Sequence, residues 1–263
     1  MSKKFDVFET VEQDRTATLV TRQIEELILT GVYSPGDRLP SERELEKKLD
    51  VSRPTLREAI KGLEERGLLV IRQGDGTRVA DVLGSMFREP IIELFRANPR
   101  ATKDYLEFRR EIEAVSARYA ATRATPADRE LITHIFRKME TAHADEDFRN
   151  EAEFDIDFHA AVGEASHNVV LLHTLRSCYQ LLRNDVFYNR SVLYSSLTGA
   201  RDSLLEQHRA IFETVVDGNI PAAEKAVTDH IRYVEDTMRD AEQHSSWQLT
   251  AAQRLEKFKE SES

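Results

Sequence analysis

The stretch spanning residues 52–81, SRPTLREAIKGLEERGLLVIRQGDGTRVAD, constrains the fold of this chain more than any other. Helix-period residues run to Arg66, and Gly67 stops them. Leu69-Val70-Ile71 and Thr77-Arg78-Val79 then flank Gln73-Gly74-Asp75-Gly76. Glycine tolerates positive φ, so two short strand-forming runs around this turn predict a β-hairpin directly after a helix. Upstream, residues 16–30 place Leu19, Ile24, Leu27 and Ile28 on one helical face, and Gly31 ends that helix. Pro35-Gly36 reads as a turn. Ser41 and Glu44 have capping-box spacing, which starts a short helix running to about Leu49. Asp50-Val51-Ser52 connects it tightly to the helix of about 53–66. Helix, helix, tight turn, helix, hairpin is the order of a winged helix-turn-helix.

Bulk charge does not assign such a unit to nucleic acid. The 263-residue chain carries a formal net charge of −10, and residues 1–80 hold 14 Lys+Arg against 15 Asp+Glu. The argument therefore rests on local placement. A helix entering the major groove presents its N-terminal residues to base edges. Ser52, Arg53, Thr55 and Arg57 cluster at that end of the 53–66 helix. Arginine grips guanine bidentately, and hydroxyls bind phosphate. Arg43 on the preceding helix, with Gln73 and Gly74 at the hairpin tip, completes a candidate interface for double-stranded DNA. The competing reading is a solvated helix face on which the arginines pair with Glu42, Glu44 and Glu58.

Beyond Asp81 the periodicity is helical throughout, in segments 85–97, 104–124, 127–144, 147–166, 168–190, 200–217 and 221–243. Breaks fall at Asn98-Pro99, Thr125-Pro126, Gly199 and Asp217 to Pro221. The fold class is therefore mainly α: a winged helix-turn-helix domain (1–82), an all-helical bundle (83–243) and a polar tail (244–263) that frays beyond a short last helix. No apolar run approaches the ~20 residues of a membrane helix. The N-terminal stretch MSKKFDVFETVEQD lacks the apolar core of a signal peptide. Cys178 is the single cysteine and lies in an apolar run, which predicts a buried, inert thiol and a reducing, cytoplasmic setting.

Within the bundle, Asp155 and His159 are spaced i, i+4 and share a helix face. His208 and His230 each lean toward the apolar side of their helices, between Leu204 and Ile211 and between Val227 and Val234. A lone core-facing histidine is an ordinary buried residue. Three of them with a carboxylate need a common partner, and a divalent cation (Zn²⁺, Ni²⁺ or Mn²⁺) satisfies all four. His134, His143, His167, His173 and His244 lack this pattern.

The motifs PGDRLPSERELEKKL, VSRPTLREAIKGLEERGLL and QGDGTRV resemble the DNA-binding domain of the GntR family of bacterial transcription regulators over residues 15–80. In FadR-type members, the resemblance implies operator contacts from residues matching Arg43, Arg53, Thr55, Arg57 and Gly74. Pro54 departs from the pattern, because it has no N–H to offer a phosphate. The bundle is similar to the FCD ligand-binding domain in its Arg109 to Glu113 stretch, its Asp155 to Asn168 stretch and its two later helix histidines. The resemblance implies a metal held by Asp155, His159, His208 and His230, with a small carboxylate completing its coordination and Arg109 holding that carboxylate. EASHNVVLLHTLRS and NRSVLYSS resemble regulators of pyruvate dehydrogenase and of glycolate or lactate utilisation, so the implied effector is an acid such as pyruvate, lactate or glycolate.

The leading expectation is a homodimeric, acid-responsive regulator, a repressor relieved by its effector, reading a pseudo-palindromic operator. One alternative is a DNA-binding dimer whose metal is purely structural. Another is a metalloenzyme, which lacks any G-x-S-x-G, H-E-x-x-H or Walker motif in this sequence.

Overall fold

The computed structural model describes residues 14–72, 74–80, 89–183 and 200–261. The chain divides into two compact units, Met1–Ser85 and Met86–Ser263.

The first unit holds α1 (Asp14–Leu29), α2 (Glu42–Leu49), α3 (Arg53–Glu65), β1 (Leu69–Arg72) and β2 (Gly76–Val79). The α2 cap is reciprocal: Glu44 N donates to Ser41 Oγ at 3.4 Å, and Ser41 N donates to Glu44 Oε2 at 2.9 Å. Asp50 closes α2 in the left-handed region at φ 51, which makes the connection to α3 tight. β1 and β2 pair antiparallel from Leu69↔Val79 to Arg72↔Gly76. Asp75 N bonds to Arg72 O across Gly74, whose φ of +85 is left-handed and suits glycine. The segment after the Pro35-Gly36 turn lines up on β2, with Gly36 N donating to Val79 O and Leu39 N to Thr77 O, each at 2.9 Å. Val20, Ile24, Ile28, Leu45, Leu56, Ile60, Leu63, Leu69 and Val79 form the core. Leu19 departs from expectation: it is 62% exposed, and Val20 takes its place. At ~100° per residue, Val20 lies one turn from Ile24, whereas Leu19 is rotated off that face.

The second unit holds α4 (Glu89–Arg96), α5 (Pro99–Arg123), α6 (Pro126–Ala144), α7 (Phe148–Ala165), α8 (Val169–Arg183), α9 (Ala200–Val216) and α10 (Ile220–Ser261). All its described elements are helices. α5 packs against α10, α7, α8 and α9, and α7 also packs on α6 and α8. Their shared core includes Leu106, Ala117, Ile132, Phe136, Phe158, Leu175, Ile211 and Ile231. Among the described residues no helix is long and apolar enough to cross a membrane.

Two helix boundaries correct the sequence reading. Asn98-Pro99 opens α5 instead of standing apart from it: Asn98 Oδ1 accepts from Arg100 N at 3.0 Å, and proline suits the first helical turn. The last helix does not end at 243 before a fraying tail; α10 continues to Ser261. Residues 222–261 contain neither glycine nor proline, and the helix formers Ala, Glu, Gln, Leu, Arg and Lys dominate the end. The expected extension of α8 to residue 190 lies outside the described residues.

Candidate metal centre and nucleic-acid interface

At the head of α3, Ser52 is the N-cap and Pro54 sits in the first turn. Ser52 Oγ accepts from Thr55 N at 3.4 Å and lies 2.7 Å from Thr55 Oγ1. Thr55 is buried, so its hydroxyl serves the cap, while Ser52, Arg53 and Arg57 are exposed. Arg57 Nε donates to Glu42 Oε2 at 2.9 Å, and Arg53 Nε lies 3.5 Å from the same oxygen. One acidic side chain on α2 thus gathers both guanidiniums. Arg43 is exposed on α2, and Gly74 is exposed at the hairpin tip. Gln73 lies outside the described residues. Arg78, at the base of the hairpin, is a structural strut: it holds Asp75 through Nε at 2.7 Å and Gly36 O through Nη1 at 2.8 Å.

The structure brings Asp155, His159, His208 and His230 together. One ligand atom from each lies within 4.8 Å of every other, and each residue is buried. α7 supplies the first two from one face; α9 and α10 supply one histidine each. His208 Nε2 is 2.8 Å from Asp155 Oδ1 and 3.2 Å from His159 Nε2. His159 Nε2 is 3.9 Å from Asp155 Oδ1.

The outer nitrogens are all engaged. His159 Nδ1 lies 2.7 Å from Glu113 Oε2, His208 Nδ1 2.7 Å from Leu204 O, and His230 Nδ1 3.0 Å from Gln207 Oε1. Each partner is an acceptor, so each Nδ1 carries the proton and each Nε2 keeps its lone pair. Three imidazole nitrogens and a carboxylate converging in a buried space are the kind of donor set that can hold a cation. Donors about 2.1 Å from a common centre stand about 3.0–3.4 Å apart, which suits the separation of the two imidazole nitrogens. The donor set therefore fits a divalent metal. Phe158 seals one side, edge-on to the His159 and His208 rings at 5.8 and 5.5 Å between centroids.

Arg109 is 0% exposed and ion-pairs with Glu113, one turn along α5. Glu113 thus divides its two oxygens between Arg109 and His159. Burial alone would raise the Glu113 carboxyl, but Arg109 and His159 outweigh it and hold it down to about 2. Burial pushes the His159 imidazole down, with Glu113 opposing. Burial, reinforced by His208 and His159, pushes His230 well below its ordinary value. The basic, lone-pair-bearing form of these rings is the form that binds metal. Cys178 is buried, and burial raises its thiol to about 12, which makes it the inert cysteine expected.

Sequence reasoning did not assign Glu113 or Gln207 a role, whereas Glu42 pairs with Arg53 and Arg57 as the solvated-face reading expected. Glu113 carried a signal, its i, i+4 spacing from Arg109, but its contact with His159 arises only when α5 packs on α7. Gln207 precedes His208 on α9 and turns to His230 on α10, a pairing no local pattern announces. Of the other histidines, His143 bridges Glu151 at 2.7 Å and Asp202 at 3.0 Å, and His167 meets Asp128 at 2.8 Å.

Comparison with known proteins agrees with this two-part reading. Residues 16–79 match the model described as "Bacterial regulatory proteins, gntR family", and residues 104–233 match the FCD domain. The chain is 36% identical over 241 residues to the Glc operon transcriptional activator of Escherichia coli (strain K12), covering 90% of this chain and 94% of that protein. It is 31% identical over 212 residues to the HTH-type transcriptional regulator LutR of Bacillus subtilis (strain 168), covering 81% and 96%. Among solved structures, Streptococcus agalactiae GntR superposes with a TM-score of 0.50 at 26% identity, over 84% of this chain and 99% of that one. A DNA-binding winged unit, an all-helical second unit and relatives that regulate operons lead to one conclusion: the chain belongs to the GntR family, with an FCD domain, and is a DNA-binding transcription regulator, not an enzyme.

Proposed function

We propose that this regulator answers to a small carboxylate bound at a divalent metal held by Asp155, His159, His208 and His230. The observation carrying the reading is the convergence of three imidazole Nε2 atoms and a carboxylate in the effector-binding type of domain. The metal would be Zn²⁺, Ni²⁺ or Mn²⁺, supplying positive charge and a coordination position for the acid. The chain's own residues do the rest. Glu113, Leu204 and Gln207 hold the imidazoles in their metal-binding tautomer. Arg109 supplies the guanidinium for the carboxylate end of a ligand such as pyruvate, lactate or glycolate. The chain acts as a homodimer that reads a pseudo-palindrome through Arg43, Ser52, Arg53, Arg57, Gln73 and Gly74, with the buried Thr55 supporting the cap at Ser52. DNA phosphates replace Glu42 as the partner of Arg53 and Arg57, since an exposed ion pair is worth about 1 kcal/mol or less. Acid binding weakens operator affinity and relieves repression in the cytoplasm.

Thermal melting of the metal-loaded protein against pyruvate, lactate, glycolate, malate and citrate, with and without chelator, tests this. A ligand at 100 times its Kd adds about 2.7 kcal/mol. One acid should raise the melting temperature, and chelation should abolish the rise. A second reading, a purely structural metal, is favoured by the complete burial of Arg109 against Glu113. It predicts that chelation lowers the melting temperature while every acid is ignored.

A further inference from the structure

The hairpin of the first unit carries a cationic face that its own packing does not use. Strand alternation creates it. Leu69 and Val79 are paired and buried, so Val70↔Arg78 and Arg72↔Gly76 share the opposite, outward face. The segment before α2 joins the sheet through an antiparallel bridge of Arg38 to Arg78, which adds Arg38 to that face. Three arginines thus surround one acidic residue, Asp75.

The three are not equivalent. Arg78 is committed: Nε and Nη2 grip the two Asp75 oxygens at 2.7 and 2.9 Å, and Nη1 reaches Gly36 O at 2.8 Å. Asp75 is thereby neutralised, and two positive charges remain. Arg38 and Arg72 are both exposed, and neither has an ion-pair partner among the described residues. Arg38 is nevertheless held in place. Its guanidinium lies against Gly76, where a Cβ would meet Nε at 3.1 Å, Nη2 at 3.3 Å and Cζ at 3.6 Å. Glycine at 76, with φ +86, supplies both the turn and the room for that planar group. A guanidinium positioned without a carboxylate partner is preorganised for an anion from outside the chain.

The surroundings of this face identify the anion. Hydrogen bonds from Ser41 hold the Glu44 carboxyl below its usual range, and Arg78 does the same for Asp75. Arg38 adds to both effects, so its charge reaches the cap of α2 and the hairpin turn together. The first starts the helix that carries Arg43, and the second adjoins Gly74; both residues belong to the candidate DNA interface. Base edges are read from within a groove, whereas outward arginines beside it meet the sugar-phosphate backbone. The whole chain is acidic at −10, so local unneutralised charge of this kind is what holds it to a polyanion.

We propose that Arg38, with Arg72 beside it, binds DNA backbone phosphate next to the groove that α3 enters, anchoring the hairpin without reading sequence. This rests on the DNA-binding reading and adds two residues outside the helix-turn-helix.

The test is fluorescence anisotropy of full-length protein on an operator selected from random DNA and on a scrambled duplex of the same length, each across a salt series. Arg38→Gln should weaken both duplexes by the same factor, roughly 10-fold. The slope of log affinity against log salt should become shallower by about 0.9 per bound protomer. Arg72→Gln should act in the same direction, and Arg38→Lys should recover most of the slope, because it restores the charge. Arg53→Ala, by contrast, should erase the preference for operator over scrambled duplex. Parental affinity and slope in Arg38→Gln overturn the phosphate contact while leaving the DNA-binding reading intact. A loss confined to the operator overturns it too, since that is base readout. A loss that Arg38→Lys does not recover, with a lowered melting temperature in both variants, assigns Arg38 to holding the hairpin and likewise overturns the proposal. A parent that binds neither duplex at any salt overturns the DNA-binding reading itself, and the proposal with it.

Discussion

Glu113 shows how much one side chain in this fold is asked to do. One oxygen holds the fully buried Arg109 and the other fixes His159, so the guanidinium and the metal ligand share a single carboxylate. Glu113→Gln keeps the shape but weakens both contacts. Metal affinity should fall about 10–100-fold in a chelator competition, as it does when such outer partners are lost. Unchanged affinity would mean that Glu113 serves only Arg109. Acid should act on the same cluster. The Glu113 pKa is lowered to about 2 from an ordinary 4.5, so its contribution to stability is complete above about 4.5 and is lost as pH falls toward 2. His159 and His230 are both shifted below 6.5, so the unfolded chain takes up their protons first. The melting temperature of chelator-treated protein should therefore fall as pH drops below about 6.5. A flat profile from pH 6.5 to 4.5 in calorimetry would contradict that linkage. The four candidate ligands were legible in the sequence because Asp155 and His159 share a face at i, i+4 and His208 and His230 keep helical spacing with apolar neighbours. Glu113 and Gln207 were not, because their partners lie on other helices and only tertiary packing joins them.

At the scale of elements, capping and charge decide what α3 can offer. Ser52→Ala removes the oxygen that caps α3 and the partner of the buried Thr55 hydroxyl. Denaturant unfolding should show a loss of about 1 kcal/mol. Arg53→Ala leaves the cap untouched and removes an exposed guanidinium. Operator binding should be lost in a gel-shift titration while dimer mass is kept. Operator binding at parental strength would remove Arg53 from the interface. The order of elements in the first unit was legible because a capping box, Gly67 and the Gly-rich hairpin punctuate it. Two features were not. Asn98-Pro99 looks like a break because proline ends helices as readily as it starts them, and only the Asn98 cap decides between the two. The end of α10 looks like a tail because its surface is polar, yet it has no residue that stops a helix.

At the scale of the molecule, a DNA-binding unit and an effector-type unit share one chain, and regulation requires that ligand in the second alter DNA affinity in the first. The coupling need only be about 1–3 kcal/mol, or 5–150-fold in affinity. The most direct test is fluorescence anisotropy of the full-length, metal-loaded protein on an operator selected from random DNA. It is titrated with and without the acid identified by melting, and repeated with His208→Ala. The account predicts that the acid weakens operator binding by 5–150-fold in the parent. It predicts no shift in His208→Ala, whose winged unit still binds the operator. Operator affinity that ignores the acid in metal-loaded parent, or that responds equally in His208→Ala, would contradict a metal-held effector as the switch.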